Sequence, residues 1–378
     1  MILSQKKIKG LRHKIRHFYE GKSNFILVFL DYLLTFLLST SAKKNLSIFY
    51  SKYLDGFVGS PEDVSDLIIG ANFRTYGNIR NELKPNFDSR TLLKDLRKTK
   101  SKLKKINVTK ALNNLNTYGY VNLGAILGKN AVDRIYSHAK KSHLKPKKYS
   151  SDRSFKKIPD LSIDNIWDVP FDKTLASKDI RDILQDRQLI ELSMRYLKSP
   201  PVVIGSRLYW SFPQKKKNFL TPENWHLDAG DGLNFIKYFI YITDVSFANG
   251  PTAFVEYSHK LIKRKYFTGR RFTNREIKID FPGKEIKVYG KKGTVFAVDT
   301  RGIHKGEPVK KGERLMFHFI HSADFFGIPR KTSFGLNSKY CFGDKYTGIL
   351  GRTFYAFSKK APENTSLIKE RQDSFYGK

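Results

Sequence analysis

Between residues 201 and 320 the sequence breaks into short β-prone runs, and this constrains the fold more than any other feature. The runs are 201–204, 208–212, 235–245, 252–257, 285–289, 294–298 and 314–320. Turn signals such as Asn249-Gly250-Pro251, Pro282-Gly283 and Lys292-Gly293 separate them, which is the pattern of an antiparallel sandwich or barrel. Helices are expected ahead of the strands at 128–142 and 179–196, where apolar residues recur every three or four positions. The chain divides into a basic, mostly helical extension over 1–105, the β-rich zone over 106–325, and a basic, aromatic tail over 326–378 expected to pack on the core. No internal repeat or low-complexity tract is evident.

Composition sets the outer limits. The chain of 378 residues is 40% hydrophobic and 14% aromatic, inside the globular range, so global disorder is excluded. Its 70 Lys and Arg against 35 Asp and Glu give a formal charge of +35. Such an excess favours an anionic partner: nucleic acid, a membrane surface, or a phosphorylated or carboxylated substrate. A Lys-, Asn- and Ile-rich usage can equally reflect AT-rich coding. The single cysteine, Cys341, can neither close an intramolecular disulfide nor build a thiolate metal site, which points to a reducing, cytoplasmic setting. Its ordinary reading is a small buried side chain.

The one long apolar run, residues 25–38, follows a basic stretch over 6–22 and precedes Lys43-Lys44. It is shorter than the ~20 residues a bilayer crossing needs, and Asp31 at its middle would cost roughly 2.5–3.5 kcal/mol there. Thr40-Ser41-Ala42 could pass for a signal cleavage site, but the charged leader is long for one. A buried or membrane-surface helix is expected, leaving the protein cytoplasmic or peripheral to a membrane.

Chemistry enters at Trp225-His226-Leu227-Asp228, where positions i and i+2 of an extended segment face the same way, as two metal ligands require. A lone His-x-Asp arises by chance about once in two such chains, so it carries little alone. It gains weight from His304, which follows the apolar strand 294–298, and from Arg314, which opens the strand 314–320. Two His and one carboxylate form a facial triad with three open positions, enough for a bidentate 2-oxo acid and dioxygen. An Arg fork suits the distal carboxylate of such a co-substrate.

Through these residues the sequence resembles the phytanoyl-CoA dioxygenase-like branch of the Fe(II)/2-oxoglutarate-dependent oxygenases. The likeness runs through 112–127, 225–228, 241–245, Asn249-Gly250-Pro251, Ser258-His259-Lys260, His304 and Arg314, in the family's order. It implies a mainly β fold with flanking helices: a double-stranded β-helix (jelly-roll, cupin-like) core, here with an N-terminal helical extension. It also implies that His226, Asp228 and His304 ligate iron and that Arg314 pairs with the C5 carboxylate of 2-oxoglutarate. Phe239 or Tyr241 would line the co-substrate site. The cofactors implied are Fe(II), 2-oxoglutarate and O2, with succinate and CO2 released as an unactivated C–H is hydroxylated. Tyr257 stands where the family has Gly, and Gly306 where some members place a hydroxyl; both weaken assignment to the acyl-CoA subgroup. The carboxylate at Asp228 favours hydroxylation over halogenation. Ile320 stands where nucleic-acid demethylase relatives carry a second Arg, so nucleic acid is not the expected partner.

Two basic segments flank this constellation: Lys215, Lys216 and Lys217 before the His-x-Asp, then Lys263-Arg264-Lys265 with Arg270 and Arg271 after the Asn-Gly-Pro turn. They read either as a clamp for an anionic, lipid- or sugar-linked small-molecule substrate or as solvated loops. The rival reading of the whole is a non-catalytic basic module, bound to membrane or nucleic acid, on a relic oxygenase fold. Of the other histidines, His318 reads as cavity-facing or core, His259 as a turn residue or a support behind the ligands, and His321 as surface or strand-end.

Overall fold

The computed structural model describes residues 25–54, 61–83, 100–146, 164–213, 223–228, 232–260 and 263–324, with isolated positions outside these spans. Lys215, Lys216, Lys217, Cys341 and the tail 327–378 lie outside the described residues.

Among the described residues, ten strands form two antiparallel sheets. The larger contains β1 (Tyr120–Ala125), β2 (Lys145–Pro146), β3 (Ile166–Val169), β4 (Val202–Ser211), β5 (Phe235–Tyr241), β8 (Thr294–Val298) and β10 (Arg314–Ser322), in the order β1-β8-β5-β10-β4-β3-β2. The smaller contains β6 (Thr252–Val255), β7 (Glu285–Val288) and β9 (His304–Gly306), in the order β7-β6-β9. This is the mainly antiparallel β architecture with flanking helices expected from the turn pattern. The runs 201–204 and 208–212 merge into the single strand β4, and the register slips one residue where β10 passes from Ile320 to His321.

Period-2 alternation assigns the two faces of the large sheet. Ile236, Tyr238 and Ile240 of β5, with Leu315, Phe317 and Phe319 of β10, face the helices α4 (Val108–Tyr118), α5 (Lys129–Lys141), α6 (Phe171–Ala176), α7 (Lys178–Leu184) and α8 (Arg187–Leu197), numbered here after the three N-terminal helices below. Phe239, Tyr241, Phe296 and Met316 face inward, against Phe254 of β6 and Val288 of β7. Each buried ring contributes on the order of 1.5–3 kcal/mol, so a one-residue slip would exchange the two faces and lose the core. The helix expected over 179–196 is two helices. Asp186 divides them, capping α8 through Gln188 N at 2.9 Å and accepting from Ser101 Oγ at 2.6 Å. His321, expected at the surface or a strand end, is the penultimate residue of β10 and fully buried on the helix side, 2.8 Å from Ser193 Oγ; its parity is opposite to that of His318.

The N-terminal helices are α1 (Phe25–Leu54), α2 (Pro61–Thr75) and α3 (Ile79–Glu82). α1 is longer than its apolar run and crosses α2 so closely that a Cβ on Gly70 would meet Ala42 Cβ at 2.7 Å. Phe73 of α2 joins Trp225, Leu227, Ala253, Val255, Tyr266, Phe267 and Phe272 in a cluster outside the small sheet. Asp31 is buried against Arg12 (3.2 Å), and Arg12 donates to the carbonyl of Thr268 (2.7 Å).

Candidate metal centre

Trp225 and Leu227 point outward into the cluster around Phe73, and alternation therefore turns His226 and Asp228 inward. Trp225 is held further by its indole N–H, which donates to Asn274 Oδ1 at 2.8 Å. His226 lies directly opposite His304 on an antiparallel bridge, each backbone N–H donating to the other's carbonyl at 3.0 and 2.9 Å. The Asp228 amide donates to Thr300 O at 3.0 Å. Backbone pairing thus brings together residues far apart in the chain.

One ligand atom from each of His226, Asp228 and His304 lies within 4.8 Å of the others. Asp228 Oδ1 is 3.9 Å from His226 Nε2, and Oδ2 is 3.4 Å from His304 Nε2. Both histidines are committed at Nδ1, His226 to Asn224 O at 2.8 Å and His304 to Gly302 O at 3.0 Å. Since a carbonyl only accepts, Nδ1 carries the proton and Nε2 offers a bare lone pair toward Asp228. Burial lowers both imidazole pKa values, His226 well below its ordinary value, reinforced there by His304 and Arg271. Burial alone would raise the Asp228 pKa, but Lys237, His304 and His226 outweigh it and hold the carboxyl ionised far below its usual range. Two neutral imidazoles and one carboxylate, aimed at one point, are the donor set of a 2-His-1-carboxylate ferrous site, so the residues present fit that metal.

Arg314 is 5% exposed, and its Nε is buried with no hydrogen-bond partner among the described residues. Its other nitrogens donate to Gly250 O and, at 3.1 Å, to Ser211 Oγ. No carboxylate pairs with it among the described residues, although a buried cation ordinarily requires one. A Cβ on Gly306 would lie 3.9 Å from its guanidinium, and Gly306 is two positions along β9 from His304, about 7 Å of extended chain. That interval suits a short dicarboxylate with one end at the triad and the other at Arg314. Phe239 stacks on Phe296 (5.2 Å) and meets His318 edge-on (5.6 Å), so both Phe239 and His318 face the interior. Tyr241 faces the same way, but its hydroxyl is engaged by the backbone, donating to Val288 O (2.7 Å) and accepting from Thr252 N (3.2 Å).

The cations divide by environment. Arg270 is buried and paired with Glu276 at 2.5 Å, stacked 4.4 Å from the Phe272 ring. Lys263 and Lys265 both pair with Asp280, at 2.7 and 2.5 Å, and Arg264 lies over Tyr76 at 4.4 Å. Arg271 is near enough to depress both histidines of the triad. Lys237 donates to Asp228 Oδ2 at 2.6 Å, and sequence reasoning missed it. The available signal was a lone cation inside the apolar strand β5, in phase with Phe239 and Tyr241. Tyr209 was missed as well; it packs against His318 at 5.6 Å, with Arg207 4.8 Å from its ring.

No curated relative matches the sequence. Similar solved structures include AviO1 from Streptomyces viridochromogenes Tue57, at 16% identity and a TM-score of 0.39, covering 58% of this chain and 96% of that one. The non-heme alpha ketoglutarate dependent epimerase SnoN from nogalamycin biosynthesis is 16% identical, with a TM-score of 0.41 and coverage of 57% and 81%. HygX from Streptomyces hygroscopicus, solved with nickel, 2-oxoglutarate and hygromycin B, is 14% identical, with a TM-score of 0.42 and coverage of 57% and 88%. The phytanoyl-CoA dioxygenase (PhyH) family profile matches residues 115–314, more than half of the chain and the whole span from β1 to the start of β10. The chain therefore belongs to the phytanoyl-CoA dioxygenase family of Fe(II)- and 2-oxoglutarate-dependent oxygenases, whose cofactors are ferrous iron and 2-oxoglutarate.

Proposed function

We propose that this oxygenase hydroxylates an unactivated C–H of an anionic small molecule, lipid- or sugar-linked, with succinate and CO2 as co-products. The observation that carries the reading is the pairing of an intact His226-Asp228-His304 set with the buried, carboxylate-free guanidinium of Arg314. When bound at the triad, ferrous iron activates dioxygen with 2-oxoglutarate as co-reductant. The protein's own part is geometric and electrostatic. Backbone bonds at Nδ1 hold both imidazoles in the ligating tautomer, and Lys237 keeps Asp228 ionised. Arg314 fixes the far carboxylate, and the Phe239–Phe296 stack walls the interior against water. Asp228, by filling the third protein position, favours hydroxyl over halide delivery.

An anionic substrate is supported by Arg271, a cation whose charge reaches both histidines of the triad. The substrate-binding roles first considered for Lys215, Lys216, Lys217 and Arg270 do not enter this reading, because the three lysines lie outside the described residues and Arg270 is spent on Glu276.

The test is anaerobic reconstitution with Fe(II) and 2-oxoglutarate, admission of oxygen in the presence of a metabolite extract, and mass spectrometry for succinate and an oxygen-atom mass gain. Iron-dependent succinate release, abolished in His226→Ala, is expected. A wild-type protein that binds no iron would sink the proposal. Arg271→Gln should raise KM for the true substrate by about tenfold with a smaller effect on kcat, the signature of lost binding rather than lost chemistry.

A further inference from the structure

Of the twelve large hydrophobic residues exposed among the described residues, six lie on the single helix α1: Phe25, Ile26, Phe29, Leu33, Leu37 and Ile48. Phe25 is 81% exposed, Ile26 68% and Phe29 54%. Phe29, Leu33 and Leu37 recur at i+4, so they form one stripe along the helix. The opposite side is already satisfied: Tyr32 and Phe36 pack toward Phe73 and Phe267, and Leu34 is buried with Ile8 and Ile15. A helix apolar all round, with only one side covered among the described residues, leaves the other for a second apolar phase.

We infer that α1 is an in-plane membrane-docking helix, its stripe Phe25, Ile26, Phe29, Leu33 and Leu37 seated at the headgroup boundary of an anionic bilayer with the oxygenase body outside. A crossing is incompatible with the packing, although α1 is long and apolar enough for one. Asp31, halfway along the apolar part, is buried against Arg12, and Arg12 in turn holds the Thr268 carbonyl of the catalytic body. Lipid on all sides of α1 would break this pair, its carbonyl contact and the Gly70–Ala42 crossing together.

Charge selects the occupant. Lys7 and Lys14 are exposed beside exposed Leu11, Lys44 is exposed beyond the end of the stripe next to Lys43, which is paired with Glu82 at 2.9 Å, and the helix's sole acid is the buried Asp31. Apolar contact flanked by lysines is the recognition chemistry of anionic phospholipid. A second copy of a chain carrying +35 would instead bring like charges together.

The test is co-sedimentation of the full-length, iron-loaded protein with vesicles of phosphatidylcholine plus phosphatidylserine, and of phosphatidylcholine alone, at low and high salt. The expected result is binding to the anionic vesicles that weakens on neutral ones and in high salt, and that alkaline carbonate releases. Phe29→Glu with Leu33→Glu should lower the bound fraction about tenfold while leaving the melting temperature and iron-dependent 2-oxoglutarate turnover at wild-type values. Should that pair impair folding, Ile26→Ser with Phe29→Ser and Lys14→Glu with Lys44→Glu provide separate apolar and charge arms. Wild type left in the supernatant with both vesicle types, variants that bind like wild type, or resistance to carbonate would overturn the inference. So would a wild-type dimer in light scattering that the Glu pair dissociates, which would assign the stripe to a second copy.

Discussion

At the scale of single residues, Arg314 makes an unusual demand. A guanidinium 5% exposed, with a bare Nε and no carboxylate beside it among the described residues, carries a desolvation cost that its hydrogen bonds to Gly250 O and Ser211 Oγ offset only in part. Replacing it should therefore act in opposite directions on stability and on co-substrate binding. Arg314→Met is expected to melt at or above the wild-type temperature without ligand. It should also lose at least about 2 kcal/mol of 2-oxoglutarate affinity, roughly 30-fold in Kd. Thermal shift reads both, since 2-oxoglutarate stabilises a protein only in proportion to its occupancy. A variant that melts lower and still shifts with 2-oxoglutarate would make Arg314 a structural residue. Asp228 couples to the metal in a complementary way. Asp228→Ala removes the one anionic ligand and leaves the Lys237 ammonium beside two bare imidazoles, so Co(II) affinity should drop by more than about 100-fold, read from the visible d–d bands.

At the scale of elements, legibility followed local periodicity and stopped where a contact is long-range. Strands β5, β8 and β10 are visible as short, nearly continuous apolar runs bounded by turn signals, and the His-x-Asp with His304 and Arg314 could be picked out because residue type, order and flanking strands all bear on one chemistry. Lys237 escaped because its partner Asp228 belongs to a different element, and a lone Lys in a strand ordinarily reads as an edge or surface residue. The split between α7 and α8 escaped because Asp186 is ordered by Ser101 from a distant segment. The burial of His321 at the end of β10 escaped because nothing local tells which side of the strand is covered by helices. Its burial has a pH consequence. Burial lowers the His321 pKa to about 3, so the folded imidazole stays neutral where the unfolded one protonates near pH 6.5. The unfolded state therefore takes up more protons between about pH 6.5 and about 3. This contribution to stability is complete above that window and declines as pH falls through it, by at most about 1.4 kcal/mol per pH unit. Melting temperatures of wild type and His321→Gln should converge from pH 7 toward pH 4; parallel profiles would remove His321 from the account of acid lability.

At the scale of the whole molecule, the family match begins at residue 115, yet the helices before it are part of how the metal centre is built. His226 points inward because Trp225 and Leu227 are anchored outward, and Phe73 of α2 belongs to the cluster that anchors them. A second tie is polar. Asp299, fully buried, receives two hydrogen bonds from the Arg301 guanidinium and one from the Arg301 backbone N–H, one from Tyr196 at 2.5 Å, and an ion-pair contact from Arg80 of the N-terminal helices at 3.7 Å. Burial alone would raise its pKa, but Arg301 and then Arg80 hold the carboxyl ionised well below the ordinary range. Breaking one member of such a buried set strands the others, at roughly 3–5 kcal/mol. Asp299→Asn should therefore lower the melting temperature sharply and weaken metal binding only in proportion to the unfolded fraction. Removal of the extension should do something different. A chain beginning at residue 100 keeps every ligand and every strand but uncovers the outer wall of the small sheet, including Trp225, Phe267 and Phe272. If the extension were an appendage, the shortened chain would stay soluble and bind Co(II) like the full one. If it is a wall of the site, the shortened chain should bind a hydrophobic dye, aggregate at micromolar concentration, and lose Co(II) affinity even in the fraction that remains monomeric, because the segment carrying His226 and Asp228 has lost the packing that aims it.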